Sequence, residues 1–359
     1  MWTDFRYQAQ PMRVVFGAGR SAELAAELAH LGLARVLVLA TPGHRELAER
    51  IADTLGPRTA GVHARARMHV PRETADAAAE DARARAADGC VAVGGGSTIG
   101  LGKAVALRHG LPIVAVPTTF AGSEMTPVWG MTESGVKTTG RDPAVLPRSV
   151  VYDPDLCASL PPGIAVTSAV NALAHAVEAL YAPDTSPITA LMAEEGARAV
   201  VAALPGLAVA GDADARAEAL YGSWLCGAVL GATTMSLHHK LCHVLGGTFD
   251  LPHAAVHTVL LPHVVALNAQ AAPAMTAALS RALGSDTPAG TLWELLRGLG
   301  APVSLAELGF ADTDVDRVLE AVATAPYANP REVPAGEIRA LLRRARHGGS
   351  PAEGAAPAR

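Results

Sequence analysis

Six of the thirteen histidines in this 359-residue chain fall between His238 and His263. The run reads Leu237-His238-His239-Lys240-Leu241-Cys242-His243 and then Leu251-Pro252-His253-Ala254-Ala255-Val256-His257. Imidazole can bind a metal, move a proton near neutral pH or hold a carboxylate. Three pairs stand four residues apart: Asn171 with His175, His239 with His243, and His253 with His257. On a helix that spacing places both side chains on one face, which suits a metal held by paired imidazoles. The anionic ligand that an open divalent site usually includes is missing at these positions. Glu178, one turn beyond His175, and Asp250, just before His253, fall outside the expected ligand positions.

A second chemical signal is Gly94-Gly95-Gly96-Ser97-Thr98, which follows an apolar run and opens a helical stretch through Lys103. Glycines let the backbone approach a pyrophosphate, and a helix N-terminus offers N–H groups and a positive dipole end. The spacing is not GxGxxG. The turn after the preceding strand candidate, Ala40-Thr41-Pro42, carries neither an acid for a ribose hydroxyl nor an Arg for a 2′-phosphate. The choice between NADH and NADPH is open at this point.

The elements that must position these groups divide the chain. Arg35–Ala40, Cys90–Val93, Leu111–Val116 and Val150–Asp153 are short runs, mostly apolar on both faces, separated by Ala-rich helical stretches. That grammar predicts a parallel-sheet α/β domain over residues 1–158. After Pro161-Pro162-Gly163 the chain becomes Ala/Leu-rich with Gly and Pro breaks, which predicts an all-α domain over 159–346. Residues 347–359 read as a disordered tail. In an open α/β sheet, ligands sit beyond the carboxyl ends of the strands, where Thr41, Gly94 to Thr98, Thr118 and Thr119 would lie.

Composition excludes several classes. Net charge is −5, so no basic stripe for nucleic acid is expected, and the arginines at 65, 67, 83, 85, 343, 344 and 346 read as solvated helix faces. Cys90, Cys157, Cys226 and Cys242 lack CxxC spacing, which fits a reducing compartment. No signal peptide and no membrane span is visible, so a cytoplasmic protein is expected. Only 4% of residues are aromatic, so the cores must be built from Ala, Val and Leu.

Taken together, Gly94-Gly95-Gly96-Ser97, Pro117-Thr118-Thr119 with Ala121-Gly122-Ser123-Glu124, Asp153-Pro154, Asn171 to Ala179 and the His243/His253 block resemble the iron-containing alcohol dehydrogenase superfamily. The resemblance spans residues 10 to 345. It implies a dehydroquinate synthase-like N-terminal domain, a helical C-terminal domain and a homodimer. In the superfamily's metal enzymes an Asp stands where Asn171 is here, and three histidines match His175, His243 and His253. The Asn, with the surrounding histidine run, is similar to a branch that reduces the carbon–carbon double bond of maleylacetate to give 3-oxoadipate in aromatic compound degradation. That branch uses NADH or NADPH and is thought to need no metal.

The chemistry agrees with that expectation. A neutral Asn weakens a divalent site and leaves the pocket more hospitable to a dicarboxylate. The expected catalytic set is His243 or His253 as acid or oxyanion donor, His175 and Asn171 to position the substrate, and His239, Lys240 and His257 to hold carboxylates or orient the others. The expected cofactor set is Thr41, Gly94, Gly95, Gly96, Ser97, Thr98, Thr118, Thr119 and Ser123. Three alternatives remain: a metal-dependent alcohol or aldehyde dehydrogenase of the same superfamily, a biosynthetic reductase of a related substrate, and a nucleotide-binding assembly component without catalysis.

Overall fold

The apolar runs read from the sequence become the centre of a six-stranded parallel sheet. A computed structural model describes residues 4–134 and 136–351. The strands are β1 Arg13–Phe16, β2 Val36–Ala40, β3 Thr59–Ala64, β4 Gly89–Gly94, β5 Ile113–Pro117, an antiparallel hairpin of β6 Val128–Glu133 and β7 Val136–Arg141, and β8 Ser149–Tyr152. The sheet order is β1-β8-β5-β4-β2-β3. Sequence reading found β2, β4, β5 and β8 but not β1, β3 or the hairpin. β3 hides because its run, Thr-Ala-Gly-Val-His-Ala, is only partly apolar.

Side-chain alternation builds two cores on the two faces of this sheet. Val36, Val38 and Ala40 pack with Leu24 and Leu28 of α1 Leu24–His30 and with Ala48 and Ile51 of α2 Arg45–Leu55. Leu37 and Leu39 point the other way, onto Ala75 and Ala78 of α3 Arg72–Ala84 and onto Leu101 and Val105 of α4 Gly96–His109. Each fully buried Leu or Val contributes about 1.5–3 kcal/mol, and the sheet is covered on both sides as a parallel sheet requires. Arg65 and Arg67 correct the sequence reading: they lie on the non-helical segment that leaves β3, whereas Arg83 and the 343–346 group do lie on helices.

The second unit is helical: α5 Pro162–Ala179, α6 Pro187–Leu207, α7 Ala213–Ala232, α8 Leu237–Phe249, α9 His253–Asn268, α10 Pro273–Leu283, α11 Pro288–Gly298, α12 Val315–Ala323 and α13 Ala335–Arg346. Four of these start with Pro at the first position, where its missing N–H costs nothing. Glycines bring α6 and α7 close: a Cβ on Gly222 would lie 2.9 Å from the Val200 nitrogen, and one on Gly196 2.9 Å from Cys226 Sγ. Ala165 through Ala179 of α5 are all buried, as expected of a helix apolar nearly all round.

Chain contacts group Ala9–Leu160 into one compact unit and the described residues of Met1–Gln8 and Pro161–Arg359 into the other. Of the segment expected to be disordered, 347–351 turns back after α13, with Gly348 N donating to Ala345 O at 3.3 Å. Residues 352–359 lie outside the described residues.

Candidate active site

The two chemical signals sit in different units and are built differently. In the α/β unit, the chain passes from β2 to β3 on one side and then to β4 on the other, so the order reverses between β2 and β4. Ligands of such sheets bind outside the carboxyl ends of the strands at this reversal. Thr41 leaves β2 there and the glycine turn leaves β4. Gly94 has φ +150°, and a Cβ on it would lie 2.5 Å from Thr98 Oγ1. A Cβ on Gly95 would lie 2.7 Å from Thr119 Cγ2. Neither position admits a side chain without displacing its neighbour. Thr98 Oγ1 and Ser123 Oγ are buried without hydrogen-bond partners. The N-terminus of α4 at this turn and two unpartnered hydroxyls fit a phosphate-bearing dinucleotide.

Sequence reading missed what holds this turn in place. Lys103, buried on α4, donates from Nζ to Ser123 O at 2.7 Å, Thr126 O at 2.8 Å, Thr126 Oγ1 at 3.0 Å and Val128 O at 2.7 Å. It thereby ties the loop after β5 to α4. Burial pushes its pKa down to about 7 while the nearby Glu124 opposes the shift. The four oxygens clustered at Nζ favour the ammonium form. His44 spans the site, with Nδ1 3.0 Å from Thr41 Oγ1 and Nε2 3.5 Å from Thr118 Oγ1. Thr41, Gly94 to Thr98, Thr118, Thr119 and Ser123 are all brought to this end of the sheet.

In the helical unit, α5 presents Asn171, His175 and Glu178 along one face, and α8 and α9 supply the histidines. Glu178 is the anchor. Its carboxylate accepts from Ser236 N at 2.7 Å, His238 N at 2.7 Å and His239 N at 3.3 Å, and lies 2.7 Å from His239 Nδ1. The first three satisfy orphan donors at the start of α8, where a negative charge also meets the helix dipole. The fourth fixes His239. Burial raises the Glu178 carboxyl, but His239, His238 and the Ser236 N–H outweigh it and hold the group below its usual range. With Glu178 ionised, Nδ1 of His239 donates, and Nε2 of His239 is buried without a partner. His175 stacks on that ring with centroids 5.2 Å apart, and its Nδ1 is likewise unpartnered.

A second chain of imidazoles runs alongside. His238 Nε2 lies 2.9 Å from His257 Nδ1, and His257 Nε2 lies 3.1 Å from His253 Nε2. His243 stacks on His253 at 5.8 Å. Depth separates the rings: His175, His238, His239 and His257 are buried, whereas His243, His253 and Lys240 are half-buried. Burial first, and neighbouring imidazoles second, push His175 and His257 well below the usual histidine range. Burial also lowers His238 to about 3. These three rings are neutral near pH 7. His263 stands apart further along α9, lowered to about 4 by burial and then by Arg344.

Glu178, set aside in the sequence because of its spacing, proved central because it grips α8 rather than a ligand. The donor set of Asn171 and histidines offers no anionic ligand, since both Glu178 oxygens are engaged. His238, Cys242 and His257 do bring one ligand atom each within 4.8 Å of one another. Burial, and then Glu178, hold the Cys242 thiol well above its usual pKa, so a metal bound there would have to displace the thiol proton.

Comparison with known proteins agrees across the chain. Residues 11–154 match the iron-containing alcohol dehydrogenase family and residues 165–346 its C-terminal family. A maleylacetate reductase of Sphingobium indicum is 53% identical over 96% of this chain and 98% of its own. One from Burkholderia cepacia is 52% identical over 97% and 99%. The crystal structure of maleylacetate reductase from Agrobacterium tumefaciens superposes with a TM-score of 0.94 at 50% identity, covering 98% of this chain and all of that one. The chain therefore belongs to the iron-containing alcohol dehydrogenase family and is an oxidoreductase.

Proposed function

We propose that this protein reduces the carbon–carbon double bond of maleylacetate, or a close unsaturated keto diacid, to 3-oxoadipate with NADH or NADPH. The observation that carries the reading is the Glu178-anchored imidazole cluster with Asn171, a set rich in donors and without an anionic metal ligand. The named relatives at 50–53% identity support the substrate. A dinucleotide held at the Gly94–Thr98 turn would supply the hydride for the alkene carbon β to the ketone.

Negative charge then develops on the ketone oxygen. His175 is the buried donor that stabilises it, and His239, whose Nδ1 proton is held by Glu178, stacks on that ring and fixes it. The neighbouring carbon takes a proton from His253 or His243, which are half-buried and so can be re-protonated from solvent after each turnover. His175, His238 and His257 are held neutral and hydrogen-bond rather than protonate. The bonds of His257 to His238 and His253 fix the orientation of His253. Lys240 and Asn171 complete the seat for the carboxylates. No metal takes part in these steps. The working protein is a cytoplasmic homodimer.

The test is consumption of NADH or NADPH on adding maleylacetate, with the product identified as 3-oxoadipate. Turnover of simple alcohols or aldehydes, with maleylacetate inert, would reject this reading.

A further inference from the structure

The carboxyl ends of β2 and β3 lie side by side. The strands pair in parallel with Ala40 opposite Ala64, and Ala66 N donates to Ala40 O at 2.9 Å. Two exposed arginines, Arg65 and Arg67, leave β3 at this edge, and neither forms an ion pair among the described residues. His44 and Arg45 follow β2. Arg45 reaches only Glu49, at 3.6 Å with both side chains half exposed, a contact worth little in water. From Thr41 to Arg45 there is no carboxylate.

The segment carrying the two arginines is held firmly. His69 and Val70 both have positive φ, 61° and 48°, although neither is glycine. Such backbone costs about 1–3 kcal/mol per residue and persists only where surroundings enforce it. Here Thr132 enforces it, donating from Oγ1 to His69 O at 3.0 Å and from N to Val70 O at 3.1 Å. Val70 also packs where Gly100 of α4 has no side chain; a Cβ there would lie 2.7 Å from Val70 Cγ2. The arginine segment is thus fastened to the helix that opens at the glycine turn.

In dinucleotide folds the end of the strand beside the glycine-turn strand meets the adenosine ribose. An acid there binds the 2′-hydroxyl, and an arginine accommodates a 2′-phosphate. We infer that Arg65 and Arg67, with His44 and Arg45, form a seat for the 2′-phosphomonoester of NADPH and make this chain favour NADPH over NADH. Guanidinium matches phosphate through paired N–H donors. The arginines are invisible to a reading confined to the end of β2 because they come from the next strand over. The inference rests on the dinucleotide reading of the glycine turn.

The test is fluorescence titration of the full-length protein with NADPH and with NADH, for the natural chain and for an Arg65→Ala/Arg67→Ala double variant. The natural chain is expected to bind NADPH about 10-fold or more tightly than NADH. The double variant should weaken NADPH about 10- to 100-fold and NADH by less than about 2-fold. NADPH binding should also fall more steeply with salt. Equal effects on both dinucleotides, or none on either, would overturn the seat while leaving the nucleotide site in place. Failure of the natural chain to bind either dinucleotide would instead overturn the nucleotide reading, and the seat with it.

Discussion

The two units build their candidate sites by opposite means. The α/β unit uses main chain: glycines too crowded for a Cβ, and a helix opening at the turn. The helical unit uses side chains whose geometry depends on one buried carboxylate, Glu178. Main-chain recognition is written in consecutive residues, so it is compact and local. Side-chain recognition is assembled from α5, α8 and α9, more than sixty residues apart in sequence between Glu178 and His239. The first fails by steric intrusion. The second fails by loss of a single negative charge.

The sharpest way to break the comparison is Glu178→Gln. The shape survives, but the amide cannot serve four donors as the carboxylate does. We expect kcat to fall about 100-fold while the Kd for NAD(P)H is unchanged. A Kd that rises in step with the loss of kcat would show that the units are not functionally separable.

Gly95→Ala is the converse. The new Cβ collides with Thr119, and overpacking of about 1–3 kcal/mol should raise the Kd for NAD(P)H about 10- to 100-fold. Turnover at saturating cofactor should change far less. Smaller again is Lys103→Met, which strips a donor from three carbonyls. We expect unfolding free energy to fall by about 2–3 kcal/mol in urea titration, with cofactor affinity weakened through the loosened loop.

The smallest effect is acid sensitivity. His175, His238 and His257 have folded pKa values below their unfolded value near 6.5. The unfolded state therefore binds more protons below pH 6.5, and stability is lost as pH falls from there toward about 3. Glu178, also held low, acts in the same direction at the acid end of that range. Lowering pH from 7 to 5 should reduce Tm by on the order of 5 °C. The Glu178→Gln variant should keep that change and lose part of the further decline below about pH 4.5.

Legibility in the sequence followed the same division. The glycine turn and the central strands could be read because each is a short run with its own periodicity. β3 could not, since Gly61 and His63 interrupt it, and with β3 went the placement of Arg65 and Arg67. The histidine pairs were visible as i,i+4 spacing on helices. Their partners were not: Glu178 was dismissed because spacing tests only the ligand positions of its own helix, whereas it acts on the start of α8. His238 was counted in the histidine run but given no role, because its partner His257 comes from α9, and Cys242 gave no signal because its neighbour is His238 one turn back on α8. Lys103 read as an ordinary helical lysine, and only the loop folded over it reveals a buried ammonium.

The central claim is that the imidazole cluster acts with its own protons and no metal. The direct measurement is maleylacetate-dependent oxidation of NAD(P)H by protein stripped with a strong chelator, with metal content determined on the same sample. The account predicts full activity at negligible metal content. Activity lost on stripping and restored by iron or zinc would contradict it.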